Sequence, residues 1–559
     1  MKRSFYILIY FILFWIMIPG LFLYLSPILN QRIFPDSRLP DRCIIPGYIL
    51  CISGFLLLLV TIYQFKLQSG EYPVSATPPK KIIQRGIFAV WRHPIYLFAS
   101  ITLLGFTLIM RSQGLLLIFF PVFIVLVYIY IIREESILIK RFGNEYKYYR
   151  NNVPLVIPNL HQWLKIPGFI FFKICFRLKV HYRENIPSSL PFIVVSGHRH
   201  YFDPFIVSYA VPIPLKHIST FEMFRTPLNR RLFTWLGVIP RKRFVKDIPG
   251  TQKILSALGS GYPICIFPEG GRSWTNRLRS FKPESLKLLK HVRNLPVIPV
   301  RIEGNYHSWP RWANRLMRSD ITVTFEQPVY IDPDIDLNTL EIMLKQIVEP
   351  REEIEGKKVC RSTKRIENLS KVIYRCPVCL CFQSIVEVMP DSLYCRTCNT
   401  KYKLKSDFKV EYNCDNHKKA ESIYTLYNLI KIRYSDIYTL LSKVMNEKYQ
   451  DYLKPGEKLI YTALCQLWEE SKSVFNRSKK GLCILSNRTI TISDCGEQHI
   501  IPLAEIGAVT IESNYKLQIY NKVHKVLVQI TFDNDSVLKW QDLLAVVLSE
   551  QFNKQIITR

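Results

Sequence analysis

PFIVVSGHRHYFDPF, residues 191–205, carries the pattern on which the fold of the central region depends. Residues 191–196 are apolar and rich in β-branched side chains, with turn residues on both sides, which predicts a short buried strand. Proline suits the first position of a helix, and the residue before a proline avoids the α region. A helix is therefore expected to begin at Pro204 with Asp203 as its N-cap. His198 then lies in the intervening loop, where its side chain can fold back onto Asp203.

A second apolar strand followed by a polar loop occurs in YPICIFPEGGRSW, residues 262–274. In this loop Gly270 and Gly271 would let consecutive backbone amides converge on an anion. The guanidinium of Arg272 can donate two hydrogen bonds to one phosphate. The loop is therefore a candidate phosphate site.

Two further segments extend this pattern. GVIPRKRF, residues 237–244, contributes the basic side chains of Arg241 and Arg243 between the two loops. NLPVIPV, residues 294–300, has the apolar and β-branched composition of another buried strand. The central region is thus expected to alternate short strands with loops that carry polar and basic side chains.

The four segments in this order, H-x-x-x-x-D, G-x-I-P-R-x-R, F-P-E-G-G-R-S and V-I-P-V, resemble the glycerolipid acyltransferase family typified by 1-acylglycerol-3-phosphate acyltransferase. The resemblance implies an α/β acyltransferase domain, which we place at residues 161–350, and an acyl donor that is acyl-CoA or acyl-carrier protein. It implies that His198 deprotonates the acceptor hydroxyl and that Asp203 orients the imidazole. The side chains and backbone that it assigns to substrate binding are Glu269, Gly270, Arg272, Arg241 and Arg243. Gly197 and Gly271 replace the Asn and Thr that are usual in the family.

Other interpretations of the histidine cluster remain open. A zinc site formed by His198 and His200 would need a third and usually a fourth ligand, and the neighbouring sequence suggests none. The cluster could also be structural in an inactive relative. A covalent serine route is disfavoured because the chain has no G-x-S-x-G nucleophile elbow.

Four apolar runs precede the central region, near residues 4–29, 44–65, 94–110 and 114–132. Each has about the length needed to cross a hydrocarbon core of ~30 Å, which predicts an α-helical four-span membrane domain over residues 1–160. Basic residues are concentrated between the second and third runs, so this loop, the amino terminus and everything after the fourth run are expected to face the cytoplasm.

The formal net charge of +31 favours contact with an anionic membrane surface. Membrane lipids are therefore the expected partners. Nucleic acid is not, because the basic residues are spread along the chain rather than gathered in one recognition element. We expect a multi-pass integral membrane protein with its catalytic domains on the cytoplasmic face, in a bacterial inner membrane rather than in the endoplasmic reticulum.

Two polar stretches flank the third and fourth apolar runs: RGIFAVWRHPIYLF, residues 85–98, and REESILIKRFGNEYKYYRNNVPLVIP, residues 133–158. They resemble the isoprenylcysteine carboxyl methyltransferase and phospholipid N-methyltransferase superfamily. The resemblance implies a site for S-adenosylmethionine formed by Arg92, His93, Tyr96, Glu134 and Glu135. Phe98 stands where family members usually have glycine, and its ring could close the cofactor pocket. The alternative is that these helices only anchor the protein.

Five of the 14 cysteines lie in residues 376–398, and the rest are scattered, which argues against a disulfide framework. CPVCLC and CRTC form a C-x₂-C-x₁₅-C-x₂-C pattern that predicts a small zinc ribbon over residues 370–412. The expected ligands of the structural zinc are Cys376, Cys379, Cys395 and Cys398. A redox-active pair is the alternative.

The rest of the chain is expected to contain a helical linker over residues 413–452 and a β-rich domain over residues 453–559. Short alternating strands closed by an apolar helix at residues 537–552 resemble a pleckstrin-homology-like domain. The chain is therefore a multidomain protein, and the leading hypothesis is lysophospholipid acyl transfer, with methyl transfer as an additional activity. The alternatives are methylation of lipid or isoprenylcysteine as the main activity, and a non-catalytic lipid-binding scaffold.

Overall fold

The computed structural model divides the chain into two compact units. The first consists of Met1–Pro167 with Ser188–Leu190 and Val211–Pro214, and the second of Gly168–Pro187, Pro191–Ala210 and Leu215–Arg559. The residues that the structure describes are 12, 17–34, 38–73, 82–83, 86–143, 146–147, 149–150, 153–156, 168, 171–187, 189–243, 247–292, 294–351, 365–388, 390–414, 417–433, 435–437, 449, 452–455, 457–471, 474–494 and 497–552.

The described part of the first unit is α-helical. Two of its helical segments are long and apolar enough to cross a membrane, Asp41–Ser69 with 29 residues and Leu115–Phe142 with 28. They agree in position with two of the four predicted spans. A third apolar helix is shorter, and of the first predicted span, residues 4–29, the segments 4–11 and 13–16 lie outside the described residues. The α-helices are Ile18–Ile33, Ile44–Ser69, Pro94–Ile109 and Phe120–Phe142.

Small residues bring two of these helices together. A side chain at Gly105, on the helix Pro94–Ile109, would place its Cβ 2.4 Å from the backbone nitrogen of Cys51 on the helix Ile44–Ser69. A Cβ at Gly54 would likewise lie 2.8 Å from the nitrogen of Thr102. Close backbone approach at small residues is typical of helix pairs in membranes, where dispersion contacts replace the hydrophobic effect.

The second unit begins with a seven-stranded sheet of order β1-β7-β6-β2-β5-β3-β4. Its strand pairs are parallel except β6 with β7, which are antiparallel. β2, β5 and β6 are buried along their whole length, as the apolar runs predict. The strands are β1 (Lys179–His181), β2 (Ile193–Ser196), β3 (Lys216–Thr220), β4 (Ile239–Arg241), β5 (Ile264–Ile266), β6 (Val297–Glu303) and β7 (Thr322–Phe325).

Helices cover this sheet and connect its parallel strands. Because β6, β2 and β5 are parallel neighbours, the loops that follow them meet at one edge of the sheet, where α/β proteins form their sites. Side-chain N-caps fix three of the helices: Thr226 accepts from Asn229 N, Asp247 accepts from Gly250 N, and Asp336 accepts from Thr339 N. The α-helices are Asp203–Ala210, Pro227–Trp235, Ile248–Gly259, Pro283–His291, Asn305–Ser308 and Leu337–Val348.

A five-stranded antiparallel sheet of order β12-β11-β10-β9-β8 carries the cysteine motifs. Its last two strands run past the predicted end of the ribbon at residue 412, so the expectation of a helical linker over 413–452 is wrong for its first part. The segments Lys409–Cys414 and His417–Ser422 pair as antiparallel strands, and the helix Ile423–Ile430 starts only after them. The strands are β8 (Ile385–Val388), β9 (Ser392–Cys395), β10 (Lys401–Leu404), β11 (Lys409–Cys414) and β12 (His417–Ser422).

The C-terminal region forms a second seven-stranded sheet, of order β16-β15-β14-β13-β19-β18-β17, with antiparallel pairs throughout. The helix Val537–Phe552 follows it, and Trp540 of this helix is fully buried and stacks on Phe532. The strands are β13 (Leu459–Ser471), β14 (Val474–Ser486), β15 (Thr489–Asp494), β16 (Glu497–Pro502), β17 (Ile506–Glu512), β18 (Lys516–Asn521) and β19 (Val526–Phe532).

The cysteine-bearing sheet and the C-terminal sheet share one hydrophobic core. Polar contacts reinforce it, since the buried carboxylate of Asp542 accepts hydrogen bonds from the hydroxyl groups of Tyr374 at 2.7 Å and Tyr427 at 2.8 Å. The two sheets are therefore parts of one packed structure rather than modules joined by a flexible connection.

Candidate active site

His198 and Asp203 lie together at the carboxyl edge of the first sheet of the second unit. The loop after β2 turns the imidazole so that its Nδ1 is 3.0 Å from Oδ2 of Asp203. The His198 side chain is 19% exposed, whereas that of Asp203 is fully buried. The ring of Phe267 packs on the imidazole with 4.7 Å between the ring centroids. This arrangement fixes the imidazole and leaves part of it accessible.

The carboxylate of Asp203 organises the whole loop. Its Oδ2 accepts from the backbone nitrogens of Arg199 and His200, both at 2.7 Å, and its Oδ1 accepts from Nδ2 of Asn305 at 2.8 Å. The helix begins at Asp203 itself. The prediction that Asp203 caps the helix is therefore corrected: its oxygens bind amides that precede it in the chain, and so they hold the histidine loop rather than the first helical turn.

The environment of Asp203 favours its ionised form. Burial by itself would raise the pKa of this carboxyl group, but the hydrogen bond and the charge of His198, together with His200 and Asn305, hold the pKa below its ordinary value. The resulting stabilisation is present above the ordinary aspartate pKa and is lost as the pH falls through the lowered value. Asp203 is consequently an anion at neutral pH, able to stabilise a protonated imidazole.

Glu269, which was expected to contact substrate, lies in the interior of the structure and is bound to backbone amides. It is only 2% exposed, and its two oxygens accept from the backbone nitrogens of His198 at 2.7 Å and Arg279 at 2.8 Å. Burial raises the pKa of Glu269 to about 7. The two amide hydrogen bonds act in the opposite direction, but their effect on the pKa is smaller. Its contribution to stability therefore declines as the pH rises towards that value. Glu269 holds two loops together behind His198.

Gly270 also differs from the expectation. Its backbone nitrogen donates to the carbonyl oxygen of Phe267 at 3.0 Å, so this amide closes a turn and does not point towards an anion. Its φ of +65° lies in the left-handed region, and a Cβ there would lie 2.1 Å from the side chain of Lys282. The left-handed backbone of this turn favours glycine, whereas the flexible end of the Lys282 side chain could move aside.

Basic side chains gather around this loop. Burial lowers the pKa of Arg311, and the positive charges of Arg279, Arg272 and Arg243 lower it further. These three guanidinium groups are therefore close enough to Arg311 to interact with it electrostatically. Arg272 and Arg243 were predicted site residues, whereas Arg279 and Arg311 were not. Arg241 ends β4, paired with Thr220 of β3. A concentration of positive charge at this edge suits a phosphate-bearing ligand.

Arg311 connects the arginine loop to the C-terminal sheet. Its Nη1 donates to the carbonyl oxygen of Arg272 at 2.7 Å, its Nε donates to that of Ser513 at 3.0 Å, and its Nη2 donates to that of Ile511. The guanidinium also lies 4.6 Å from the ring centroid of Trp274. The position of the Arg272 backbone therefore depends on a strand about two hundred residues away, at the end of β17.

His200 has a structural environment. It is fully buried, and its ring contacts those of Phe176, Phe202 and Trp309. Its Nδ1 accepts from the backbone nitrogen of Phe202 at 3.0 Å, and burial lowers its pKa to about 4. Among the described residues, the one cluster with three or more side chains placed to hold a metal is the cysteine cluster, so the geometry does not support a zinc site at His200.

The residues predicted to bind S-adenosylmethionine are brought together in the first unit. His93 lies 3.5 Å from a Glu134 oxygen through Nδ1 and 3.4 Å from a Glu135 oxygen through Nε2. Arg92 Nε lies 3.3 Å from Glu135, and the hydroxyl group of Tyr96 donates to Glu134 at 3.0 Å. The two motifs therefore form one polar cluster.

Phe98, which replaces the glycine usual in the family, is close in sequence to this cluster and is buried. It is 2% exposed, and its ring packs edge-on against Trp91 with 5.3 Å between centroids. The larger side chain is thus accommodated as part of the hydrophobic core.

The four predicted cysteine ligands also converge. Their sulfur atoms all lie within 4.8 Å of one another, with 3.5 Å between Cys376 and Cys398 and 3.7 Å between Cys379 and Cys395. Zinc–sulfur bonds are about 2.3 Å long, which separates sulfurs by about 3.8 Å in a tetrahedral site. The cluster has the size and the donors of a tetrahedral metal site.

Two family models match this chain. One, described as Acyltransferase, matches residues 177–303, and the other, described as Phospholipid methyltransferase, matches residues 43–145. The second unit therefore contains an acyltransferase domain, and the first contains a phospholipid methyltransferase-like domain.

Among curated proteins, a chloroplastic 1-acyl-sn-glycerol-3-phosphate acyltransferase of Arabidopsis thaliana is 26% identical over 172 residues, 30% of this chain and 47% of that relative. A 1-acyl-sn-glycerol-3-phosphate acyltransferase of Cocos nucifera is 27% identical over 143 residues, 25% of this chain and 46% of the relative. The chain thus spans less than half the length of these relatives. A solved 1-acyl-sn-glycerophosphate acyltransferase of Thermotoga maritima is 22% identical, with a TM-score of 0.31, covering 41% of this chain and 90% of that one.

Proposed function

We propose that the second unit is an O-acyltransferase that moves a fatty acyl group from acyl-CoA or acyl-carrier protein to the hydroxyl group of a lysophospholipid such as 1-acylglycerol-3-phosphate. The observation that carries the proposal is the hydrogen bond of 3.0 Å between Nδ1 of His198 and the buried Asp203. It holds the proton on Nδ1, and no described residue bonds to Nε2, which can therefore act as a base.

In the proposed reaction, Nε2 of His198 takes the proton of the acceptor hydroxyl as its oxygen attacks the thioester carbonyl carbon. The new ester bond forms, the carbon–sulfur bond breaks, and His198 returns the proton to the leaving thiolate. Asp203 stabilises the imidazolium between these steps. The arginines near Arg272 would hold the acceptor phosphate through charge-assisted hydrogen bonds.

The test is an assay of the full-length protein in phosphatidylcholine nanodiscs with lysophosphatidate and a radiolabelled acyl-CoA. Formation of labelled phosphatidate is expected, and a parallel reaction with labelled acyl-carrier protein identifies the donor. If no labelled product forms with either donor on any lysophospholipid tested, the acyltransferase proposal is refuted. That result would favour a non-catalytic lipid-binding scaffold.

Arg311 is expected to act on substrate affinity as a positioning residue for Arg272. Arg311→Lys keeps the charge but loses the planar fork that reaches three carbonyl groups, so KM for lysophosphatidate should rise by about tenfold, equivalent to ~1.4 kcal/mol. We expect kcat to stay within about threefold of wild type, because the His198 loop keeps its own hydrogen bonds. The control is Arg315→Lys, since Arg315 is exposed and pairs with Glu367. An equal loss in kcat with unchanged KM would contradict this role.

For the first unit we propose a four-span domain with both enzymatic regions on the cytoplasmic face of a bacterial inner membrane. A long acyl chain does not leave the bilayer readily, at ~0.8 kcal/mol per buried methylene, so an anchored enzyme can meet its substrate at the surface. Cysteine-accessibility labelling in the loops between apolar runs would measure the number of crossings and their orientation.

A second candidate activity of the first unit is methyl transfer from S-adenosylmethionine. The assembled polar cluster of Arg92, His93, Tyr96, Glu134 and Glu135 favours it. Bound at this cluster, the cofactor would supply an electrophilic methyl group, and the paired carboxylates could hold its positively charged parts. The methyl acceptor would be a membrane lipid or an isoprenylcysteine.

Binding of S-adenosylmethionine separates this activity from a purely anchoring role. Labelled S-adenosylmethionine should bind the purified full-length protein, and Glu134→Ala should weaken binding by more than about tenfold because it removes an anionic partner, ~1.4 kcal/mol or more. The matched control is Ser136→Ala on the same helix, whose exposed hydroxyl group donates to the backbone oxygen of Ile132. Absence of binding by the wild type would leave the helices as an anchor.

We further propose that Cys376, Cys379, Cys395 and Cys398 bind a structural zinc ion. Thiolate ligands at this spacing and sulfur separation favour tetrahedral zinc, and two C-x₂-C motifs facing one another are less consistent with a redox pair.

A further inference from the structure

A cavity of about 760 Å³ lies against β3 and β4 in the second unit. Its volume falls in the range of small-molecule sites, roughly 300 to 1,000 Å³. The helices Pro227–Trp235 and Ile248–Gly259 contribute side chains to its walls. None of the predicted catalytic or substrate-binding residues lines it.

The charged side chains of this cavity are all positive. Lys216, Arg230 and Lys253 line it, and none of the described lining residues is acidic. Lys216 is half-buried, and burial lowers its pKa with no opposing charge nearby. Within the described part of the chain it forms no ion pair. A partly buried cation without a counter-charge is costly, and an anionic ligand would offset that cost.

The ammonium group of Lys216 is held inside the cavity. Its Nζ lies 4.3 Å from the ring centroid of Tyr262, a distance that allows a cation–π contact. On another side, the backbone of Gly237 comes so close that a Cβ there would be 3.3 Å from Nζ. The cation is thus positioned by two neighbours that supply no negative charge, on a residue that lines the cavity.

Apart from its basic residues, the cavity is lined by apolar side chains and by four neutral polar ones, Thr234, Gln252, Ser256 and Ser260. Phe221, Phe224, Val238 and Ile239 line it, which suits an alkyl chain better than a sugar or a nucleotide. Lys216 pairs with Ile264 at the amino end of β3, whereas the catalytic loops follow the carboxyl ends of β2 and β5. The basic end of the cavity therefore lies at the opposite end of the strands from His198.

The outer wall of the cavity has the character of a membrane-contacting surface. On the helix Pro227–Trp235, three large apolar side chains at spacings of four and three residues are exposed: Leu228 by 76%, Leu232 by 38% and Trp235 by 65%. Arg230 and Arg231 lie between them and are also exposed. A short helix with apolar residues on one side and arginines beside them is suited to the surface of an anionic membrane.

We propose that this cavity binds a single-chain anionic amphiphile from the membrane, with its head at Lys216 and its alkyl chain against Phe221, Phe224 and Ile239. Lys216 would bind a compact anionic headgroup. Both a fatty acid carboxylate and a lipid phosphate have such a headgroup. The site is separate from the catalytic pair and does not depend on the proposed acyl transfer.

The test uses the full-length protein in phosphatidylcholine nanodiscs and a 16-carbon fatty acid with a diazirine near the end of its chain. After irradiation, peptide mapping should place the label on residues 221–224 or 248–259. Dodecanoate and dodecyl phosphate should each compete with the probe, and their relative potency distinguishes the carboxylate from the phosphate as the preferred head. Dodecanol and inorganic phosphate should not compete, because each lacks one half of the amphiphile.

Two variants make the test specific. Lys216→Met keeps the length of the side chain but removes its charge, and it should reduce labelling by about tenfold; Ser256→Phe, on the cavity wall, should block it. The control is Lys287→Met, an exposed lysine on another helix, with unchanged labelling expected. Thermal melting of each variant reports whether it is folded. Labelling that is insensitive to Lys216→Met in a folded protein, or equal competition by dodecanol, would overturn the proposal.

Discussion

Replacement of His198 by alanine is expected to lower kcat for acyl transfer to lysophosphatidate by ~10² to 10⁴-fold, the usual contribution of a positioned general base. KM should change little, because the proposed phosphate contacts come from the arginines around Arg272. The measurement is steady-state transfer of labelled acyl groups from acyl-CoA in nanodiscs. The loss should be of kcat because Nε2 of His198 is the only proposed base for the acceptor hydroxyl.

His200→Asn is the matched control for this prediction. His200 is two residues away, fully buried among aromatic rings, and without a place in the proposed reaction. Its substitution should lower the melting temperature through poorer packing while kcat stays within about tenfold of wild type. Equal losses of kcat in the two variants, with both proteins folded, would contradict the assignment of His198 as the base. A His198→Ala protein with wild-type activity would refute it outright.

Metal removal is expected to have the largest effect on stability. Structural zinc sites in small domains contribute roughly 10–16 kcal/mol of apparent binding free energy, which is also folding free energy. The purified protein should contain one zinc ion per chain, and Cys395→Ser should abolish it. Because Cys376 and Cys395 are fully buried, their sulfurs would otherwise remain uncompensated in the core of this sheet. Zinc content by mass spectrometry and protease sensitivity over residues 376–404 measure the outcome.

The loss of stability caused by metal removal should extend into the C-terminal sheet. The core is continuous between the two sheets, and Tyr374, just before the first cysteine, donates to the buried Asp542. Hydrogen exchange should therefore rise in the helix Val537–Phe552 as well as in the ribbon. Cys381→Ser is the matched control, since this fifth cysteine lies outside the cluster and should leave zinc content and exchange unchanged. A metal-free Cys395→Ser protein with wild-type exchange in that helix would show that the two sheets are stabilised independently.

The contact between His198 and Asp203 could be predicted because its geometry is local. His198 and Asp203 are five positions apart, and the proline after Asp203 restricts the backbone of Asp203, so the two side chains can come into reach within one loop. The cysteine pairs within each C-x₂-C motif are close for the same reason. The methyltransferase-like cluster required a family pattern, because its two halves lie on separate helices.

The role of Glu269 could not be read from the sequence. A glutamate in a loop next to an arginine suggests a ligand contact, whereas its true partners are the backbone amides of His198 and Arg279. Backbone amides are present at every residue and leave no signature. Asn305 was missed because it reaches Asp203 from the short helix Asn305–Ser308 after β6, about a hundred residues further along the chain.

The sequence by itself determined the elements and motifs whose information is local: the apolar segments, the buried strands, the His198–Asp203 pair and the two cysteine pairs. Tertiary structure alone decided which distant groups stabilise that site. Arg311 donates to carbonyl groups of Arg272 and of the C-terminal sheet, and Lys216 lines a cavity in which none of the described lining residues is acidic. Such contacts depend on the packing of separate elements, in which the order of strands in the sheets sets the neighbours, and no periodicity or short motif records that order.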